Sequence, residues 1–207
     1  YLPIRTTARA EAALASEFYV VMHALASVVD PQLPRQQQLA WMSEQARTYL
    51  PDDSVSGRMY DFVKSRYEAG ITWEQARDEV YKRYQVEEQD GYDITSRNLG
   101  CNGCVSASIN FAASLVSLFF GEGDWKETVK IAVLAGRDSD NPAATWGGLL
   151  GFMEGQEGIE RIFGRKFSGR YNIHRTRTGF PVANGVDNFV DMSAMGLQII
   201  DRAVVEE

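Results

Sequence analysis

Apolar residues return at helical intervals along almost the whole chain. Between Thr6 and Asp30, the positions Ala10, Leu14, Phe18, Val21, Leu25 and Val28 fall three or four apart. That spacing predicts a long amphipathic helix. Asp30-Pro31 closes it, and Pro34 keeps the link extended. Residues 35–50 predict a second helix that carries Leu39, Trp41, Met42 and Ala46. A turn at Leu50-Pro51-Asp52-Asp53 leads into a third, over about 54–69, which Gly70 stops. Thr72 and Gln75 match a capping box. The fourth helix then runs to about Tyr84, with Trp73, Ala76 and Val80 toward the core and Glu74, Arg77 and Asp78 toward water.

Residues 85–100 are polar and aperiodic, which predicts a long loop of the kind that often carries function. Residues 105–120 are nearly all apolar or small, so this helix is expected at the centre of the bundle. Gly121-Glu122-Gly123 makes a turn, Asp124 caps the next helix, and Val129, Ile131, Ala132 and Leu134 carry it to an acidic turn. There Asn141 reads as an N-cap and Pro142 as the first helical residue. Gly147, Gly151 and Gly155 share one face of the helix that follows, which predicts close approach of a backbone or ligand. A short helix over 159–163, a basic segment over 164–185 and a last amphipathic helix over 186–205 complete the chain. The methionines of that last helix, Met192 and Met195, read as core. No alternating strand run stands out. The expectation is an all-α bundle, one domain over residues 1–207, with about eight or nine helices around the 105–120 helix.

Composition narrows the function classes. The chain has 207 residues, enough for a sizeable core, with 44% hydrophobic and 24% charged residues, as in a soluble globular protein. A net charge of −7 argues against nucleic acid or an anionic membrane as a partner. No apolar run reaches the roughly 18–20 residues of a membrane span. The chain starts at Tyr1 without methionine, which points to a processed or truncated species.

The candidate chemistry lies in the acidic turn. Asp138 and Asp140 stand two residues apart ahead of a helix. Such a pair can offer oxygens to hard cations such as Mg²⁺, Mn²⁺ or Ca²⁺. The alternative is a pair of solvated acids suited to the helix N-terminus electrostatically. Cys101 and Cys104 form a lone C-x-x-C with neither histidine nearby, which fits small residues at a helix start, or a disulfide, better than zinc. His23, alone among Met, Val and Leu, reads as a core or boundary residue. Arg165, Lys166, Arg170, His174, Arg175 and Arg177 read as a salt-bridged loop, with a phosphate-bearing ligand as the alternative.

The segment from about Asn102 to Gly155 resembles the C-terminal signature of the ADP-ribosylglycohydrolase family. The resemblance rests on NGCVSASINFAASLVSLFFGEGDW, KETVKIAVLA, GRDSD and NPAATWGGLLGFMEG in that order. It implies an all-helical bundle with two divalent cations, Mg²⁺ as a rule and Mn²⁺ as the substitute. Asp138 and Asp140 would be ligands and Asn141 a further one. Asn98, Asn102 and Ser106 are placed near the substrate cleft. The implied reaction is hydrolysis of an N- or O-glycosidic bond of an ADP-ribose-like molecule or an ADP-ribosylated substrate. A metal hydrolase of another small ribosyl or glycosidic substrate, and a non-catalytic structural or binding relative, are the alternatives. The family's Thr/Ser-Asp-Asp and G-D-x-x-G motifs have no counterpart here. The chain is therefore expected to correspond to the C-terminal part of the family's domain, with a separate N-terminal fragment completing the site and supplying the catalytic base.

Overall fold

The computed structural model describes residues 2–94, 103, 106–173 and 185–206. The chain divides into two compact units, residues 1–156 and 157–207. In the first, α1 (Leu2–Thr7) and α2 (Ala10–Leu25) replace the single long helix expected at the start. The chain breaks between them, and Ala10 takes a φ of 46°. The helix also ends earlier than its periodicity suggests, so Val28 is exposed. Next come α3 (Arg35–Arg47), α4 (Val55–Glu68) and α5 (Trp73–Val80). Leu39, Met42 and Ala46 of α3 are buried as expected, whereas Trp41 faces water. Both hydrogen bonds of the Thr72–Gln75 capping box are present. Gly70 ends the preceding helix with a φ of 69°. Glu11 of α2 accepts the backbone N–H of Val55 and Ser56 at 3.2 and 2.8 Å, and so neutralises free donors at the start of α4.

The expected loop after Tyr84 begins instead as a π-helical turn, Tyr81–Val86, that continues α5. Asp90 folds back onto that turn. Its carboxylate accepts from Arg83 Nε at 2.8 Å and Nη2 at 2.9 Å, and from the Tyr84 hydroxyl at 3.0 Å. The Arg83 hydrogen bonds hold the Asp90 carboxyl below the ordinary carboxylate range. A lowered folded-state value adds stability that is complete above the unfolded value, about 3.9 for Asp, and is lost as pH falls toward the folded value. Thermal melts of Asp90→Asn and wild type should differ most above about pH 5 and converge as pH falls through the lowered value. A gap that does not change with pH would remove the ion pair from the account.

The apolar run forms α6 (Ala107–Phe120), buried continuously from Ser108 to Phe119. It packs against α2, α4, α5 and α7 (Trp125–Leu134), the central position its composition predicts. Phe111 meets Phe18 edge-on at 5.2 Å and Tyr19 at 5.7 Å. Asp124 caps α7 by accepting the Glu127 N–H at 2.8 Å. Helix α8 (Asp140–Phe163) follows, interrupted at Gly155, whose φ is 69°. Thus the expected short helix over 159–163 is the distal part of α8.

In the second unit the chain forms two short strands that the sequence pattern did not announce. They are β1 (Arg170–Asn172) and β2 (Val186–Asn188), antiparallel, with Tyr171 opposite Asp187. The last helix, α9, accordingly starts at Phe189 rather than 186 and runs to Glu206. Its Met192, Met195, Leu197, Ile199 and Ile200 are exposed, Met195 by 60%, so the expectation that its methionines are core is corrected. Of the basic residues expected in a salt-bridged loop, Lys166 pairs with the buried Glu160 at 2.5 Å. His174, Arg175 and Arg177 lie outside the described residues. The all-α fold class stands, with this small sheet as its one departure among the described residues. No helix among them is long and apolar enough to cross a membrane.

Candidate functional site

The acidic turn joins α7 to α8. Gly136, with a φ of 76°, lets the chain leave α7 sharply. Arg137, Asp138 and Ser139 then lead into α8, whose first residue is Asp140. Asn141 therefore lies inside the first turn rather than at the N-cap, and Pro142 is the third helical residue rather than the first. The reason is a local hydrogen bond: the Asn141 N–H donates to the Asp138 carbonyl at 3.2 Å, which starts the helix earlier. Pro142 is tolerated there because N–H groups of the first turn have no intrahelical partner. The side chain of Asn141 is exposed.

The two carboxylates converge. Asp138 is half-buried and Asp140 is exposed, and the two carboxyl groups are close enough to perturb each other. The hydrogen-bonding influence of Asp140, then desolvation and the negative charge of Asp140, push the Asp138 carboxyl above the ordinary carboxylate range. A cation between two neighbouring carboxylates would offset their mutual repulsion. The donors are hard oxygens, which suit Mg²⁺, Mn²⁺ or Ca²⁺ rather than thiolate-seeking metals. Among the described residues, however, no group of three or more His, Cys, Asp or Glu side chains gathers to hold a metal.

The helix behind the turn is packed closely at only one of the three glycines expected to share a face. A Cβ on Gly147 would sit 3.4 Å from Val129 and 3.5 Å from Trp125, both on α7. Gly151 has open space around it, and Gly155 is the break in the helix. The expected glycine face is thus a single contact.

Ser106 is buried at the N-cap position of α6. It lines a cleft of about 400 Å³ with Arg9, Glu11, Tyr92, Asp93 and Ser108. Its side chain hydrogen-bonds the Tyr92 hydroxyl, which also accepts from Gln85 Nε2 at 2.8 Å. Asn98 and Asn102, the other two cleft candidates, lie outside the described residues, as do Cys101 and Cys104. A second pocket, about 170 Å³, is bounded by Arg77, Tyr81, Ile109, Val116, Ala135 and Arg137. The Arg137 guanidinium lies over the Tyr81 ring, 5.2 Å from its centroid. His23 is exposed and hydrogen-bonds the Tyr19 carbonyl oxygen through Nδ1 at 2.9 Å, away from these groups in role.

One residue at the turn escaped the sequence reading. Asn110 of α6 accepts the Asp138 N–H on Oδ1 at 2.9 Å and donates from Nδ2 to the Ser106 carbonyl at 3.0 Å. The available signal was an asparagine within the apolar run SINFAAS, where a polar amide must find partners.

A family model described as ADP-ribosylglycohydrolase matches residues 4–178. The match takes in the N-terminal helices, so the expectation that the chain answers only to the C-terminal portion of that domain is not borne out, and the match shows no separate N-terminal fragment. No curated protein and no solved structure matched.

Proposed function

The chain belongs to the ADP-ribosylglycohydrolase family, a family of glycosyl hydrolases, and on that premise we propose that it is a Mg²⁺-dependent hydrolase of an ADP-ribosyl substrate. The bond cleaved is the N- or O-glycosidic bond at the anomeric carbon of the ribosyl group. The observation that carries this reading is the placement of Asp138 and Asp140, two residues apart at the start of α8, with the Asp138 backbone fixed by Asn110. They are the residues that would hold the cation, with the exposed Asn141 amide in reach of the same solvent. When bound, Mg²⁺, or Mn²⁺ in its place, would supply Lewis-acid stabilisation of oxygens on the substrate and on water. The half-buried Asp138 is fixed at its backbone by Asn110, whereas Asp140 stands exposed at the first position of α8. The Ser106 cleft, about 400 Å³, is within the volume range usual for small-molecule sites.

A second reading is a relative that keeps the bundle without chemistry. It is favoured by the donor set, because only two carboxylates are paired in the turn and no third joins them among the described residues. The two readings separate on a substrate panel. Purified protein is offered ADP-ribosyl-arginine, ADP-ribosyl-serine and free ribosides, with Mg²⁺ or with chelator, and free ADP-ribose or ribose is quantified. Mg²⁺-dependent release from an ADP-ribosyl substrate supports the proposal. Release from simple ribosides alone moves the substrate to another ribosyl class. No release from any of them, in protein that binds Mg²⁺, overturns the hydrolase reading.

A further inference from the structure

We propose that Asn110 is the positioning residue of the acidic turn, a neutral clamp that fixes Asp138 for cation binding and ties the turn to the Ser106 cleft. The inference rests on the reading of Asp138 and Asp140 as cation ligands. The geometry is two-pronged. Oδ1 takes the Asp138 N–H at 2.9 Å, and Nδ2 reaches the Ser106 carbonyl at 3.0 Å. Asn110 itself is only 7% exposed and sits on the most buried helix of the unit, so its carboxamide has little freedom to move.

The residue type follows from the chemistry. The turn brings two carboxyl groups together, and like charges at that separation push each other apart. Holding them converged before a cation arrives requires the backbone to be fixed independently of the carboxylates. A backbone N–H held by a buried acceptor does this. The acceptor must be neutral, because a third charge would change the cation affinity itself. It must also satisfy its own donor in a dry environment, which the Ser106 carbonyl provides. Asparagine meets both needs at once. The link continues on the far side, where the Ser106 side chain meets Tyr92 and Tyr92 meets Gln85. Binding sites built this way lose function when the support is removed, even though the ligating groups remain.

The test compares Asn110→Leu, Asn110→Asp and, as a structural control, Ser114→Ala. Ser114 lies one turn along the same helix and bonds Tyr19 at 2.8 Å. Two quantities are read on metal-free and Mn²⁺-titrated protein: hydrogen exchange at the Asp138 amide, and Mn²⁺ affinity by electron paramagnetic resonance. Asn110→Leu should lose Asp138 protection and bind Mn²⁺ about ten-fold or more weakly. Asn110→Asp keeps the acceptor, loses the donor to Ser106 and adds a third negative charge beside the turn, so Asp138 protection should remain while Mn²⁺ affinity rises. Ser114→Ala should lower the melting temperature and leave affinity within about two-fold. If Asn110→Leu does not fold, Asn110→Asp and Ser114→Ala still decide. Weak binding by Asn110→Asp with protection retained, or an equal loss in Ser114→Ala, overturns the clamp. Wild-type affinity in a folded Asn110→Leu overturns it as well, and leaves the ligand reading intact if Asp138→Ala/Asp140→Ala has lost binding. Absence of Mn²⁺ binding by wild type overturns both.

Discussion

Replacing Asp138 and Asp140 together by alanine is expected to abolish saturable Mg²⁺ and Mn²⁺ binding and to lower hydrolysis by at least on the order of 100-fold, since loss of mere supporting groups already costs 10–100-fold at metal sites. The fold should survive the change. Asp138 is half-buried and Asp140 exposed, and neither forms an ion pair among the described residues. Without a cation the pair is a mutually repelling feature, so the metal-free double variant should melt at or slightly above the wild-type temperature. The contrast lies in the response to metal. A ligand at about 100 times its dissociation constant stabilises the folded state by about 2.7 kcal/mol. Wild type should show that upward shift and the variant should not.

The pH dependence has a definite sign. The Asp138 proton is held above the ordinary carboxylate range by Asp140. It therefore competes with a cation at pH values where a lone carboxylate would already be free. Mn²⁺ affinity should fall as pH drops toward that raised value. In Asp140→Ala the neighbouring carboxyl and its charge are gone, so what binding remains should lose its affinity only at lower pH. Saturable binding that persists in the double variant, or a wild-type affinity independent of pH down to the ordinary carboxylate range, would sink the ligand assignment.

What was legible in the sequence is what is decided locally. The Thr72–Gln75 box and the Asp124 cap are satisfied within a single turn, so residue type and spacing settle them. The centrality of α6 is legible because a helix apolar on all sides has nowhere else to go. The start of α8 was not. Asn141-Pro142 is a sound N-cap on local chemistry, yet the helix starts earlier. The turn is held by Asn110, 28 residues away in sequence, and by the Asn141 N–H on the Asp138 carbonyl. The two strands are three residues each, too short for alternation to register, and they pair across 16 positions between Tyr171 and Asp187. The glycines repeat every fourth residue, but only Gly147 meets a neighbour, because spacing gives the face and not what stands opposite it. The candidate site divides in the same way. The acids could be read from their motif, whereas the asparagine that fixes them could be found only from the packing of α6.

Trp146→Ala should be the most damaging single substitution in the first unit. The indole is fully buried on α8, about one and two-thirds turns beyond Asp140 by helical geometry. It lies edge-on to Tyr19 at 5.3 Å, and its Nε1 donates to the Ser114 carbonyl at 2.8 Å. Removing it takes away the largest side chain of the core and leaves a cavity beside α6, which costs about 3–5 kcal/mol. At about 2–4 °C per kcal/mol for a chain of this size, the melting temperature should fall by about 10 °C. Trp146→Phe isolates the polar part. It keeps most of the ring and loses the Nε1 hydrogen bond, and the Ser114 carbonyl retains the Ser117 hydroxyl at 2.7 Å. No acceptor is stranded, so the cost should be about 1–2 kcal/mol. Folded Trp146→Phe should bind Mn²⁺ as wild type does, because the turn is fixed by Asn110 and not by the indole. A loss below about 1 kcal/mol for Trp146→Ala would mean that α8 is not held to α6 through this side chain. Weakened Mn²⁺ binding in Trp146→Phe would mean instead that the seat of α8, rather than the Asn110 clamp alone, sets the position of the acidic turn.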